Sequence, residues 1–186
     1  GLVRWSVSGG TYTQYLHPQS PLPDNTVYDV APAVGGGVWA ATARGLVRFV
    51  PERAQWQVVT PATSPGMPAR LVTAVAPLAD GTLWVGFAQE WDPALAHPAS
   101  SDGSVRGAFR AGGIARFDPA SNQWSAASRA ELTAIPGDPN SDPTFKTVPS
   151  DNVTDLALDS SGALWVATRP YYAWDASNCH EPVCLG

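Results

Sequence analysis

One block recurs three times without gaps, and it constrains the fold more than any other feature. Val27–Thr42 reads VYDVAPAVGGGVWAAT, Val72–Phe87 reads VTAVAPLADGTLWVGF, and Val153–Thr168 reads VTDLALDSSGALWVAT. In each, an alanine (Ala31, Ala76, Ala157) sits four positions after the opening apolar residue. A glycine (Gly36, Gly81, Gly162) precedes a tryptophan (Trp39, Trp84, Trp165) by three. A second block also recurs: GLVRW from Gly1, GLVRF from Gly45 and GIARF from Gly113. Seven residues after its aromatic comes another, pairing Trp5 with Tyr12, Phe49 with Trp56 and Phe117 with Trp124. Self-similarity at a spacing of about 45 residues is the signature of a repeat architecture.

Each unit reads as four short strands, here Val27–Ala31, Val38–Thr42, Leu46–Val50 and Gln55–Thr60. Turn residues fill the joints: Val34–Gly37, Ala79–Thr82 and Ser160–Ala163 after the first strand, Pro51–Ala54 and Asp118–Asn122 after the third. The second strands (VWAA, LWVGF, LWVA) are apolar continuously, which predicts burial on both faces. A four-stranded antiparallel unit buried on both sides is a blade between neighbouring blades. The expected fold is therefore an all-β propeller.

Composition agrees. The chain has 186 residues, 17 glycines and 18 prolines, too many breakers for long helices. Its eight tryptophans argue against disorder. A net charge of −5, with Lys146 the single lysine, leaves no basic stripe and disfavours nucleic-acid binding. No apolar run approaches the length of a membrane span.

Trp39 and Trp84 are 45 residues apart, but Trp84 and Trp165 are 81 apart. The 36-residue excess divides into 23 between the second and third strands of one unit and 13 before the next unit. In an up-and-down meander these two connections leave the same end, so both insertions are expected on one face. The tail from Arg169 starts there too. Elaborated loops on a rigid scaffold are where function concentrates. The expected organisation is a back half-blade at 1–20, a full blade at 21–65, and a full blade at 66–148 with insertions at 88–111 and in the 125–150 region. A front half-blade plus tail follows at 149–186. That makes about three blades' worth of an incomplete ring, since propellers have four to eight. The remaining blades are expected from the same polypeptide or another chain. Alone, the segment would expose blade faces and sheet edges.

The units resemble the two-component regulator propeller repeat. The resemblance rests on Asn152, Val153, Leu156, Gly162, Leu164, Trp165, Val166, Ala167 and Thr168, and on the closing Gly113, Ile114, Arg116, Phe117, Asp118 and Pro119. Departures are Val50–Pro51 in place of Asp–Pro, and Arg70–Leu71 in place of Asp–Asn. The resemblance implies an extracytoplasmic sensing domain, periplasmic or at the cell surface, belonging to a larger receptor that often detects carbohydrate. Cys179 and Cys184 enclose CHEPVC in the tail. A local disulfide suits that compartment, with two free thiols as the alternative. Zinc would lack further ligands there.

The recurrent tryptophans read as packing core. Arg4, Arg48 and Arg116 read as strand arginines satisfied by a neighbouring blade's carboxylate or carbonyl. Asp29 and Asp155, on the strand nearest the axis, read as facing a central channel, but Ala74 interrupts any carboxylate ring. His17, His97 and His180 fall in loops without partners at motif spacing. No nucleophile elbow, P-loop, zinc or dinucleotide motif is present, so neither catalytic residue, metal nor cofactor is expected. Candidate contacts lie on the elaborated face: Trp91, Asp92, His97, Arg106 and Arg110 in the first insertion, Tyr171, Tyr172 and Trp174 in the tail. Aromatics beside polar groups suit sugar stacking or a protein partner. The expected function is non-catalytic ligand sensing through that face. An interaction scaffold in a cell-surface or membrane-associated assembly is the alternative, and a propeller hydrolase or lyase comes third.

Overall fold

A computed structural model describes residues 1–96, 106–110, 112–126, 152–169, 171–173 and 183–185. The chain opens with β1 (Leu2–Ser6) and β2 (Thr11–Tyr15), which pair with each other. Next come β3 (Val27–Pro32), β4 (Val38–Thr42), β5 (Gly45–Val50) and β6 (Gln55–Val59), a four-stranded meander in chain order. The third unit has β7 (Val72–Pro77) and β8 (Leu83–Phe87). A hairpin of β9 (Glu90–Ala96) and β10 (Arg106–Arg110) intervenes before β11 (Gly113–Asp118) and β12 (Gln123–Ala126) complete the sheet. The last unit pairs β13 (Asn152–Leu158) with β14 (Leu164–Arg169). A second small hairpin follows, β15 (Tyr171–Ala173) with β16 (Val183–Leu185).

The strand ends differ from the sequence expectation by one residue at most, because turn residues mark them. Pro51–Arg53 is a 3-10 turn, with proline at its start, that closes on Ala54 in the left-handed region. Gly37 (φ +80°) is required by space as well as by conformation: a Cβ there would stand 2.2 Å from the Phe49 carbonyl oxygen. The aromatic pairs seven residues apart are cross-strand neighbours. Phe49 faces Trp56 and Phe117 faces Trp124 in register, with ring centroids 3.9 and 4.4 Å apart.

Successive inner strands adjoin, β3 beside β7 and β7 beside β13. The core is divided into layers between units. Trp39, Ala41 and Leu46 pack with Leu83, Val85 and Phe117 of the next unit. Ala40, Val47 and Phe49 pack the opposite way, onto Leu2 and Leu22. Ala74, Ala76 and Ile114 meet Val153 and Leu156. Alternate residues of one strand thus serve different layers, so β4 needs apolar residues from Val38 through Ala41. Each fully buried Phe, Leu or Val in these layers contributes about 1.5–3 kcal/mol.

The repeat tryptophans are not equal. Trp39 is 2% exposed and meets Phe117 of the next unit edge-on at 6.1 Å. Trp84 is half-buried, and Trp165 is 67% exposed. The core reading of Trp165 is therefore corrected: among the described residues no third strand flanks β14 and no further unit covers it. Instead its indole N–H donates to the Asp159 carboxylate at 2.9 Å. Trp5 and Tyr12 on β1 and β2 are exposed for the same reason.

Candidate functional site

All strands of these sheets are antiparallel, so the starts of β3, β7 and β13 and the ends of β8 and β14 share one end of the stack. The β9–β10 hairpin leaves from that end, between β8 and β11. At the same end a cleft of about 390 Å3 opens over the inner strands. Its polar lining comes from three units: Tyr28 on β3, Thr73 on β7, Gln89 just after β8, Asn152 and Thr154 on β13, and Arg169 closing β14.

Local packing holds these groups. Thr73 donates its hydroxyl proton to the Val153 carbonyl at 2.7 Å, which ties β7 to β13. The Asn152 side-chain oxygen accepts the Gln89 N–H at 3.3 Å, and Asn152 stands opposite Arg169 in register. Arg70 forks onto Glu90, its Nε 2.8 Å from both carboxylate oxygens, and so anchors the base of β9 beside the start of β7. Tyr28 is 52% exposed and Arg169 is also exposed. The cleft therefore offers an aromatic ring, hydroxyls, side-chain amides and one guanidinium. That set suits a hydroxyl-rich or weakly acidic ligand.

Trp91 lies on β9 next to Glu90 and is 45% exposed. Asp92 is also on β9, opposite Ala108 of β10. Arg106 pairs in register with Ala96, and Arg110 with Glu90. Tyr171 and Tyr172 form β15, opposite Leu185 and Cys184. His97, Trp174, Cys179 and His180 lie outside the described residues, as does the second insertion, so the Cys179–Cys184 pairing does too.

The arginines bond differently from expectation. Only Arg4 reaches a neighbouring unit's carboxylate, Glu52, at 2.9 Å. Arg116 binds within its own blade, to Asp80 at 2.6 Å and the Thr82 hydroxyl at 3.0 Å. Arg48 donates to the Val34 and Gly36 carbonyls of its own first turn, at 2.8 and 3.2 Å. The reason is register: Trp39 faces Arg48 and Trp84 faces Arg116, which directs each guanidinium at the turn that leads into its tryptophan's strand. Asp80 is held below its ordinary range by the Thr82 hydroxyl and N–H and by Arg116.

Sequence reasoning passed over Tyr28, Thr73 and Thr154. They share the second position of each unit, and that shared position at the insertion-bearing end was the available signal.

Comparison with known proteins agrees with this architecture. Residues 147–169 match the family described as two component regulator propeller. The fold matches the extracellular domain of the hybrid two component system BT3049 from B. thetaiotaomicron at TM-score 0.62 and 16% identity, over 91% of this chain and 18% of that one. It also matches the extracellular domain of the hybrid two component system BT4673 from the same organism, at TM-score 0.50 and 13% identity, over 90% of this chain and 23% of that one. The chain thus spans about a fifth of the length of the domains it matches. No curated protein matches it by sequence. Four-stranded antiparallel blades and layered cores make this chain an all-β segment of propeller fold, in which residues 147–169 are similar to the two component regulator propeller repeat.

Proposed function

We propose that this chain is a ligand-recognising, non-catalytic part of an extracytoplasmic sensor propeller, and that recognition occurs on the insertion-bearing face. The observation that carries the reading is the cleft at Tyr28, Thr73, Gln89, Asn152, Thr154 and Arg169, at the end from which the β9–β10 hairpin leaves. Trp91 on that hairpin adds an exposed ring at the same end. Aromatic faces beside amides and a guanidinium favour an oligosaccharide, whose hydroxyls accept and donate while its rings stack. Asp92, Arg106, Arg110, Tyr171 and Tyr172, with His97 and Trp174, are the surrounding contacts in this proposal. Placement outside the cytoplasm is supported by the fold likeness to extracellular domains. Among the described residues no helix is long and apolar enough to cross a membrane. Further blades of the same polypeptide or of another chain would cover the open edges of β1 and β14.

The test is an oligosaccharide panel titrated against the chain and against Tyr28→Ala, Arg169→Ala and Trp91→Ala. Saturable binding lost in the cleft variants supports the reading. Absence of any glycan binding, with a protein partner still captured through the β9–β10 hairpin, would replace it with the scaffold reading. Turnover that disappears with Asp29→Asn or Asp155→Asn would replace it with an enzyme.

A further inference from the structure

The opposite face carries a different chemistry, on which the reading above does not depend. In the third unit the turn Asp80–Gly81–Thr82 supplies a carboxylate and a hydroxyl to Arg116. In the second unit the matching residues are Gly35, Gly36 and Gly37, and no side chain replaces them. Arg48 keeps two backbone carbonyls as acceptors, but its Nε–H is buried and has no partner. A buried donor left unpaired costs about 1–3 kcal/mol, so this turn departs from its sister at a measurable price.

Beside it lies a cavity of about 60 Å3, lined by Gly35, Arg48, Val50, Arg53, Gln55 and Gln57. Two arginines and two glutamines line it, and no acidic residue does. The nearest acid in sequence, Glu52, is engaged by Arg4 at 2.9 Å. Gln57 uses one amide N–H on the Pro119 carbonyl at 3.4 Å and keeps the other. The cavity volume is several times the ~10–15 Å3 that a single water needs, so it has room for a small polyatomic ion. We infer that this cavity binds a small oxyanion, a phosphate or sulfate group, with Arg48 and Arg53 as its charge partners and Gln55 as a neutral donor. The glycine turn makes room for it. The oxyanion stands where the sister blade has the Asp80 carboxylate.

Calorimetric titration of the chain with inorganic phosphate and with sulfate, at constant ionic strength with chloride as the reference, tests this. One saturable site is expected for both oxyanions. Arg53→Gln, an exposed change that leaves the blade packing alone, should weaken it about tenfold, the loss of one charge-assisted partner. Gly35→Asp should abolish it, because its Cβ would stand 3.5 Å from an Arg48 guanidinium nitrogen and its carboxylate would occupy the site. Aspartate is among the residues that accept the positive φ of +78° found there. No saturable binding, or binding undiminished by Arg53→Gln and by Gly35→Asp, would overturn the inference.

Discussion

The Asp29 carboxylate accepts the backbone N–H of Val75 at 2.8 Å, across the boundary between two adjacent units. Its other oxygen accepts the N–H of Val30 at 2.7 Å. The contact uses a register shift between Val27 and Asp29, which turns the aspartate toward the next inner strand. A residue that reads from sequence as a channel carboxylate therefore works as a clamp between β3 and β7. Asp155 occupies the same bulge in its own unit, yet among the described residues it caps only Leu156, at 2.8 Å.

Asp29→Ala is expected to destabilise the chain by about 1.5–3 kcal/mol, the range for a hydrogen bond to a charged group. Asp155→Ala should cost distinctly less, because among the described residues it joins no second unit. Urea unfolding of the two variants side by side checks the difference. Equal losses would remove the clamp role from Asp29.

The tryptophans should separate in the same way. Trp39→Ala empties a buried site against Phe117 and should cost about 3–5 kcal/mol. Trp165→Ala removes a ring that is 67% exposed and should stay within about 1 kcal/mol. Chemical denaturation of each variant, compared at the midpoint, is the measurement.

Ser64 is fully buried, donates to the Asn122 side-chain oxygen at 2.7 Å and accepts the Trp124 indole N–H at 2.8 Å. It joins the exit of the second unit to the outer strands of the third. Ser64→Ala strands both partners, so a loss of about 1–3 kcal/mol is expected. Thermal unfolding together with Trp124 fluorescence should report it, since the indole loses its acceptor.

Acid should loosen the turns. Asp159 is held far below its ordinary 3.8 by the Ser161 hydroxyl, then by the Trp165 indole N–H and the Ala163 backbone N–H. Asp80 and Asp118 are lowered chiefly by the Thr82 and Ser121 hydroxyls. A carboxyl whose folded value lies below its unfolded value stabilises fully above the unfolded value, and the benefit disappears as pH falls through the folded one. Stability should therefore be level above about pH 5 and decline progressively below about pH 4, where aspartate ordinarily titrates. Asp159→Asn should flatten part of that decline in a series of melting temperatures against pH. A profile unchanged by the substitution would contradict it.

Much of the architecture was legible before any coordinates. The strand positions, the turns and the aromatic pairs Phe49–Trp56 and Phe117–Trp124 depend on neighbours along one meander, and a repeated spacing displays such neighbours directly. The end from which the first insertion leaves followed from strand parity alone. The grouping of the cleft residues across units was not legible. Tyr28, Thr73, Asn152 and Arg169 come from different units, and only the approach of β3, β7 and β13 makes them neighbours.

Sequence alone determined the blade: its four strands, its joints and its continuous apolar centre, because period and turn chemistry act over a few residues. Tertiary structure decided what identical positions do. Trp39 is buried where Trp165 is exposed, and Asp29 crosses to Val75 where Asp155 stays at home. The physical reason is that burial and pairing depend on what the adjacent unit presents through space, and a repeat carries the same letters whether or not a partner stands beside it.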